Sequence, residues 1–128
     1  MQIATLSLLV RDYDEAIAWY ARCLGFELVE DLDMGSSKRW VVMRPPGFGG
    51  AAILLARAVG EDQRAAIGRQ AGGRVFLFLE TDDFDLDYER MLKAGVRFRE
   101  TPRDESYGKV AVFEDLYGNA WDLLEPRT

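Results

Sequence analysis

The feature that most constrains the fold of this chain is an order of predicted elements that occurs twice within its 128 residues. In each half, a strand-like apolar run precedes a segment with the apolar spacing of one helix face, and three strand-like stretches follow. Gly25 and Gly95, which end the two predicted helices, lie about 70 residues apart. Half of a chain this short has only a marginal core by itself, so each half needs the other half or a second chain. The pattern therefore predicts an internal duplication of a βαβββ module.

Apolar periodicity, caps and turn residues give bounds to the predicted elements. Module 1, residues 1–57, comprises a strand at 3–10, a helix between the N-cap Asp12 and Gly25, and strands at 26–32, 39–43 and 51–56. Module 2, residues 74–128, comprises a strand at 75–81, a helix at 84–94, and strands at 96–100, 109–114 and 120–125. In the turn at 115–119, Gly118 and Asn119 suit a positive φ. The glycine-rich segment 58–73, with a short helical pattern at 62–67, is predicted to be the connector.

Charge and apolar content exclude several classes of partner. With 22 acidic against 16 basic residues and a formal net charge of −6, the surface repels phosphate backbones, so nucleic acid is not an expected partner. No apolar run reaches the roughly 20 residues that span a bilayer, and the chain begins with a strand pattern rather than a signal peptide. We therefore expect a cytoplasmic protein with no membrane partner. The single cysteine, Cys23, lies among apolar neighbours in the first predicted helix, which indicates a buried, inert thiol.

The sequence contains no histidine. This absence removes the usual general base near neutral pH, the commonest zinc ligand and every catalytic triad that depends on histidine. Any acid–base or metal chemistry must therefore use carboxylates, tyrosines or lysines.

Two segments of the chain resemble a known protein family. The segment VRDYDEAIAWYARCLGFELVED at 10–31, with its Trp19-Tyr20 pair and a helix exit at Leu24-Gly25-Phe26, is similar to the opening module of glyoxalase and bleomycin-resistance proteins. The segment VFEDLYGNAWDLLEP at 112–126 resembles their last hairpin. This resemblance to the vicinal oxygen chelate superfamily, which also includes extradiol dioxygenases, implies an α+β fold. Two βαβββ modules would form curved mixed sheets around a shared cleft, with the helices on the outside.

Metal-dependent members of this family place one ligand on the first and the last strand of each module. The resemblance assigns these four positions to Thr5, Leu54, Phe76 and Asp122. Only Asp122 is an ordinary metal ligand, because Leu54 and Phe76 present carbon where a divalent cation needs oxygen or nitrogen. We therefore predict no metal cofactor of the usual kind. The alternative is a weak oxygen site for a divalent metal such as Mg²⁺ or Mn²⁺ at Glu80 and Asp122, since Glu80 lies on the same predicted strand face as Phe76.

Strand alternation places further residues toward the predicted cleft, and Trp40 and Tyr107 lie near loop edges, where an aromatic side chain can cap a ligand or merely pack. The predicted ligand-binding residues combine apolar walls with a few polar groups, as small-molecule pockets do. They are Thr5, Ser7, Trp40, Leu54, Phe76, Phe78, Glu80, Tyr107 and Asp122. In a simpler interpretation, the two acids are surface groups that pair with Arg39, Arg97 or Arg99. The two phenylalanines would then belong to the core.

Two functional hypotheses follow from the predicted cleft. In the first, the protein resembles bleomycin-resistance proteins and binds a small molecule without a metal, and the inward acids and acidic surface favour a cationic or amine-bearing ligand. In the second, it is a lyase, isomerase or dioxygenase-like enzyme in which Glu80, Asp122 and Tyr107 are candidate catalytic residues, with or without a weakly bound metal. A structural module with an empty cleft is a third alternative. The small chain, with an apolar face on each half-sheet, also predicts a homodimer.

Overall fold

A computed structural model describes residues 1–47 and 49–128 and separates the chain into two compact units, Met1–Ile67 and Gly68–Thr128. Unit 1 contains β1 (Thr5–Val10), α1 (Tyr13–Leu24), β2 (Glu27–Asp33), β3 (Arg39–Arg44), β4 (Ala52–Arg57) and α2 (Gly60–Ala66). Unit 2 contains β5 (Val75–Glu80), α3 (Phe84–Lys93), β6 (Arg103–Glu105), β7 (Gly108–Glu114) and β8 (Ala120–Pro126). The boundary between the units falls within the predicted connector. None of the helices in this described part of the chain is long and apolar enough to cross a membrane.

The sheet of unit 1 has the strand order β1-β4-β3-β2, in which β1 runs parallel to β4 and the other pairs are antiparallel. Because strand side chains alternate between faces, one face carries the fully buried Leu8 and Leu55, and α1 packs on it with the buried Tyr20. The Tyr13 hydroxyl accepts a hydrogen bond from the Arg39 N–H at 3.1 Å, which ties the start of α1 to β3. The opposite face of this sheet carries the side chains of Ser7 and Leu54.

Both ends of α1 confirm the sequence prediction. The Asp12 side chain accepts a hydrogen bond from the Glu15 N–H at 2.8 Å, as an N-cap does. Gly25 has a φ of 70°, and its N–H donates to the Ala21 carbonyl, while the next N–H donates to the Tyr20 carbonyl. These two bonds satisfy carbonyls that the end of a helix otherwise leaves without donors.

Replacing Gly25 with alanine should lower the free energy of unfolding by about 1–2 kcal/mol, because a Cβ in the left-handed conformation crowds its own backbone. Apart from position 25 itself and its two chain neighbours, none of the described residues has an atom within 4 Å of where that Cβ would be, so local backbone strain is the expected cause. Gly25→Asn should cost less, since asparagine tolerates this conformation better. Urea unfolding of both variants measures the difference. Equal losses for the two would show that the conformation at position 25 is not the cause.

The sheet of unit 2 repeats this arrangement with the order β5-β8-β7-β6, in which β5 runs parallel to β8 and the other pairs are antiparallel. Its core is a chain of aromatic rings from Phe84 and Tyr88 of α3 through Phe98 to Phe113 and Trp121. Successive ring centroids lie 5.6, 4.6, 5.7 and 5.8 Å apart. Helix α3 therefore covers the sheet face that carries Phe113 and Trp121. The repeated strand order confirms the predicted α+β fold with two βαβββ modules.

One predicted strand is wrong. Residues 96–100 form only a single bridge to β7, and β6 begins later, at Arg103. The Val112 N–H of β7 donates at 2.9 Å to the side chain of Glu100 rather than to a backbone carbonyl. Pro102 follows and has no N–H for strand pairing. Apolar alternation could not show that a carboxylate replaces the backbone acceptor here.

The turn between β7 and β8 is also partly different from the prediction. Gly118 has a φ of 96°, as expected, but Asn119 does not have a positive φ. Its side-chain amide instead donates to Asp115 Oδ2 at 2.9 Å, and its N–H donates to Asp115 Oδ1 at 3.0 Å. Asparagine is therefore suited to this position by its hydrogen bonds rather than by its backbone conformation.

Candidate ligand-binding site

Asp122 lies in the middle of β8, on the sheet face of unit 2 opposite α3. It pairs with Phe78 of β5 on one side and with Val112 of β7 on the other. Only 6% of Asp122 is exposed, and its Oδ1 has no hydrogen-bond partner among the residues that the structure describes. A buried polar group without a partner costs about 1–3 kcal/mol, and such groups are uncommon in native proteins. We call the surface formed by Phe78, Val112 and Asp122 the Asp122 face.

Two charged groups from the segment after α3 act on Asp122. Burial raises the pKa of the Asp122 carboxyl, the positive charge of Arg103 opposes this rise, and the negative charge of Glu100 adds to it. Glu100 and Arg103 are themselves joined, because Arg103 Nε donates to Glu100 Oε1 at 3.0 Å. Asp122 is therefore more easily protonated than an ordinary aspartate, and a cationic donor would favour its ionised form.

Glu100 is held in place from two directions. Its Oε1 accepts from Arg103, and its Oε2 accepts from the Val112 N–H at 2.9 Å. Burial is the largest single effect and would by itself raise the pKa of Glu100, but the hydrogen bonds from Arg103 and Val112 and the positive charge of Arg103 together lower the pKa below its ordinary value. Glu100 therefore stays ionised near Asp122 and fixes Arg103 beside it.

Three predicted ligand-binding residues of unit 2, besides Asp122 and Phe76, can be placed by strand register or by hydrogen bonds. Phe78 belongs to the Asp122 face and is 63% exposed. Glu80 lies on the same face two residues further along β5, where it pairs with Leu124. Tyr107 lies in the turn between β6 and β7, and its hydroxyl accepts a hydrogen bond from Arg103 Nη1 at 3.4 Å. The ligand-binding and catalytic roles of these residues stay predictions.

Phe76 departs from the strict alternation that the sequence analysis assumed. The register of β5 shifts between Val75 and Leu77, and the Phe76 ring meets the Trp121 ring edge to face with centroids 6.3 Å apart. Trp121 belongs to the face under α3, so this contact does not support a place for Phe76 beside Phe78. The physical reason is the irregularity in β5, which breaks the period of two.

The other predicted site residues belong to unit 1. Ser7 of β1 pairs with Leu54 of β4, which pairs in turn with Val42 of β3. Thr5 and Trp40 lie two residues from Ser7 and Val42, so strand alternation places all of them on the face opposite α1. By register, Ser7 and Leu54 are the counterparts in unit 1 of Phe78 and Asp122. Apolar carbon thus stands in unit 1 where unit 2 has its buried acid.

Two of the arginines proposed as surface partners of Asp122 and Glu80 form ion pairs with other acids. Arg39 binds Asp31 at 2.7 Å and Asp14 at 3.0 Å. Arg99 binds Glu114 at 2.9 Å. The simpler interpretation of Asp122 as an ion-paired surface group is therefore not supported.

The residues at the positions where the family resemblance places metal ligands do not supply the donors of the usual metal site. Leu54 offers only carbon, and Asp122 lies between Phe78 and Val112, which add no oxygen or nitrogen from their side chains. Within 1–47 and 49–128, no three or more acidic, cysteine or histidine side chains are grouped as metal ligands would be. Two predictions stay untested: that the protein has no metal cofactor of the usual kind, and the alternative that Glu80 and Asp122 form a weak site for a divalent metal.

Sequence reasoning missed Glu100 and Arg103. Both lie in or near the stretch predicted as a strand, where the alternation directed attention to apolar positions. One signal was available, because the acid and the base stand three residues apart on either side of Pro102. Proline favours a turn, and a turn brings residues at this spacing close together.

Residues 2–123 match the sequence model of the Glyoxalase/Bleomycin resistance protein/Dioxygenase superfamily. This range includes nearly all of both modules. The chain belongs to this superfamily. The resemblance inferred from the two ends of the sequence is thereby confirmed.

Individual relatives are similar to the chain over nearly its whole length. An uncharacterised protein of Shewanella frigidimarina (strain NCIMB 400) is 56% identical over 96% of this chain and 92% of its own length. Among solved structures, UcmS2 is 28% identical with a TM-score of 0.83 and 98% of each chain covered. TnmS3, an antibiotic binding protein from Streptomyces sp. CB03234, is 27% identical with a TM-score of 0.78, covering 99% of this chain and 97% of its own. The likeness extends over whole chains and is not limited to one module.

Proposed function

We propose that this protein binds an organic small molecule of the antibiotic class and that Asp122 is its charged contact. The observation that carries the proposal is the buried Asp122 Oδ1 without a hydrogen-bond partner among the described residues. A ligand N–H would supply the missing donor and remove the cost of leaving that oxygen unpaired. The likeness to TnmS3, named as an antibiotic binding protein, supports this class of ligand.

The surroundings of Asp122 favour an amine-bearing ligand with an apolar part. Phe78 gives an exposed aromatic surface beside the carboxylate, and Val112 gives an aliphatic one. Small-molecule sites commonly combine such apolar walls with a small number of polar contacts. The net charge of −6 further attracts a cation at low ionic strength.

A thermal-shift screen tests this proposal. Natural-product antibiotics with a basic amine, bleomycin among them, are compared with neutral compounds of similar size. A ligand present at one hundred times its Kd stabilises the native state by about 2.7 kcal/mol, which raises Tm by several degrees. We expect amine-bearing compounds to dominate the hits. If neutral compounds raised Tm and no amine-bearing compound did, the proposed role of Asp122 would be contradicted.

A second candidate function is an enzyme of the lyase, isomerase or dioxygenase-like kind. The observation that favours it is the raised pKa of Asp122, because a carboxyl that protonates more easily is suited to act as a general acid. Glu80 and Tyr107 are the other candidate catalytic groups. Incubating a screening hit with the protein and following the ligand by NMR distinguishes binding from turnover.

We also propose that the protein is a cytoplasmic homodimer. The support for a dimer is the apolar surface of β2, where Leu28, Val29 and Leu32 are 45%, 48% and 53% exposed. Exposed apolar side chains grouped on one strand are typical of an interface. Light scattering should give twice the chain mass of 14.5 kDa at micromolar concentration. Leu32→Glu should shift the mass toward the monomer and Glu30→Gln should not, whereas a monomeric parent protein would contradict the proposal.

A further inference from the structure

A hollow of about 210 Å³ lies in unit 2 between the segment that leads into β5 and the turn that joins β7 to β8. Three arginines, Arg69, Arg74 and Arg99, contribute to its lining. In a chain whose net charge is −6, three guanidinium groups at one hollow are a local concentration of positive charge. None of the three residues that form the Asp122 face lines this hollow.

The walls of the hollow are fixed by hydrogen bonds within the protein. The Gln70 N–H donates to Asn119 Oδ1 at 3.0 Å, which joins the segment before β5 to the turn. Asn119 is held in turn by two hydrogen bonds to the buried Asp115. Gly68, with a φ of 76°, lies so close to the Tyr117 carbonyl that a Cβ there would overlap the oxygen. The hollow is thus formed before any ligand arrives, which lowers the entropy cost of binding.

The charges of the three arginines are only partly compensated. Arg99 Nε donates to Glu114 Oε2 at 2.9 Å, and Arg99 Nη2 donates to the Gly118 carbonyl at 3.3 Å, so this guanidinium is both paired and oriented. Arg69 and Arg74 have no acidic partner in the described parts of the chain. Two positive charges therefore remain for a ligand.

We propose that this hollow binds a phosphate group, either as free phosphate or as part of a small phosphomonoester. Guanidinium groups bind phosphate oxygens through paired N–H donors, and a tetrahedral dianion presents enough oxygens to engage more than one arginine. The volume of about 210 Å³ is below the roughly 300–1,000 Å³ of sites for drug-sized ligands, so a small oxyanion fits better than an antibiotic. This site does not depend on the proposed function of the Asp122 face.

The test is a titration of the ¹⁵N-labelled full chain with potassium phosphate, with potassium chloride at equal ionic strength as the reference. We expect phosphate-specific shifts of the backbone amides at 68–74 and 118–119. Arg69→Gln/Arg74→Gln should raise the phosphate Kd at least about tenfold, since each charged hydrogen bond contributes strongly. Lys93→Gln/Arg97→Gln removes the same charge from residues of unit 2 that do not line the hollow and should leave the Kd within about twofold.

A parallel titration with phenyl phosphate separates the two sources of the phosphate group. Tighter binding than inorganic phosphate would assign the hollow to a phosphomonoester, and weaker binding would assign it to free phosphate. Equal shifts with chloride and phosphate would overturn the proposal. An unchanged phosphate Kd in the Arg69→Gln/Arg74→Gln variant, or an equal rise in the control variant, would also overturn it, provided that both variants keep the parent Tm.

Discussion

Asp115→Ala should lower the free energy of unfolding by about 3–4 kcal/mol, because it removes the acceptor of four hydrogen bonds at a buried position. Asp115 Oδ1 accepts from the N–H groups of Tyr117 and Asn119, each at 3.0 Å. Oδ2 accepts from Asn119 Nδ2 at 2.9 Å and from Trp121 Nε1 at 3.2 Å. Since Asn119 and Trp121 are buried, their donors would lose a partner without gaining water.

Urea unfolding of three variants measures this effect. Asp115→Asn keeps one oxygen that can accept two of the hydrogen bonds, but its NH₂ group faces the donors of the other two. We therefore expect this variant to lose about half as much free energy of unfolding as Asp115→Ala. Asp82→Ala removes an exposed acid and should change stability by less than about 0.5 kcal/mol. If Asp115→Ala were no more harmful than Asp82→Ala, the hydrogen bonds at Asp115 would have no net stabilising role.

Asp122→Asn should weaken binding of an amine-bearing ligand about 10- to 150-fold, which corresponds to about 1.5–3 kcal/mol for a hydrogen bond to a charged group. The same change should not weaken the fold. Because burial raises the pKa of Asp122 above its ordinary 3.8, ionisation at neutral pH opposes folding. The stabilising contribution of the protonated form is complete at low pH and is lost as the pH rises toward and through the raised pKa. An uncharged asparagine avoids this loss.

The measurement is Tm with and without a screening hit at pH 7 and at lower pH. Without ligand, the variant should have a Tm at pH 7 equal to or above that of the parent, and its advantage should shrink as the pH falls toward 3.8. With ligand, the parent should gain several degrees more than the variant. Asp104→Asn removes an exposed acid of β6 as a control and should keep full ligand binding. A lower Tm for Asp122→Asn without ligand, together with unchanged affinity, would show that Asp122 is a structural group.

Asp122 and Asp115 show how much of a residue's role can be predicted from its type and its position in the sequence. Asp122 was selected because the family resemblance places a metal ligand at its position, and the structure finds it buried between β5 and β7. Asp115 was treated only as the first residue of the turn at 115–119, because Gly118 and Asn119 were the residues expected to set that turn. Its role in the core depends on Trp121, whose indole N–H meets it only after the strands have paired.

The sequence by itself determined the repeated βαβββ order, the α1 caps at Asp12 and Gly25, and the family, because each depends on local spacing or short motifs. The tertiary structure alone decided features that depend on contacts between distant segments. The Glu100 side chain, 12 residues away along the chain, accepts the Val112 N–H where a paired strand would offer a backbone carbonyl, and it also orients Arg103. The Phe76 ring meets Trp121 because the register of β5 shifts. A period of two or 3.6 carries no information about such pairings, since it describes one element at a time.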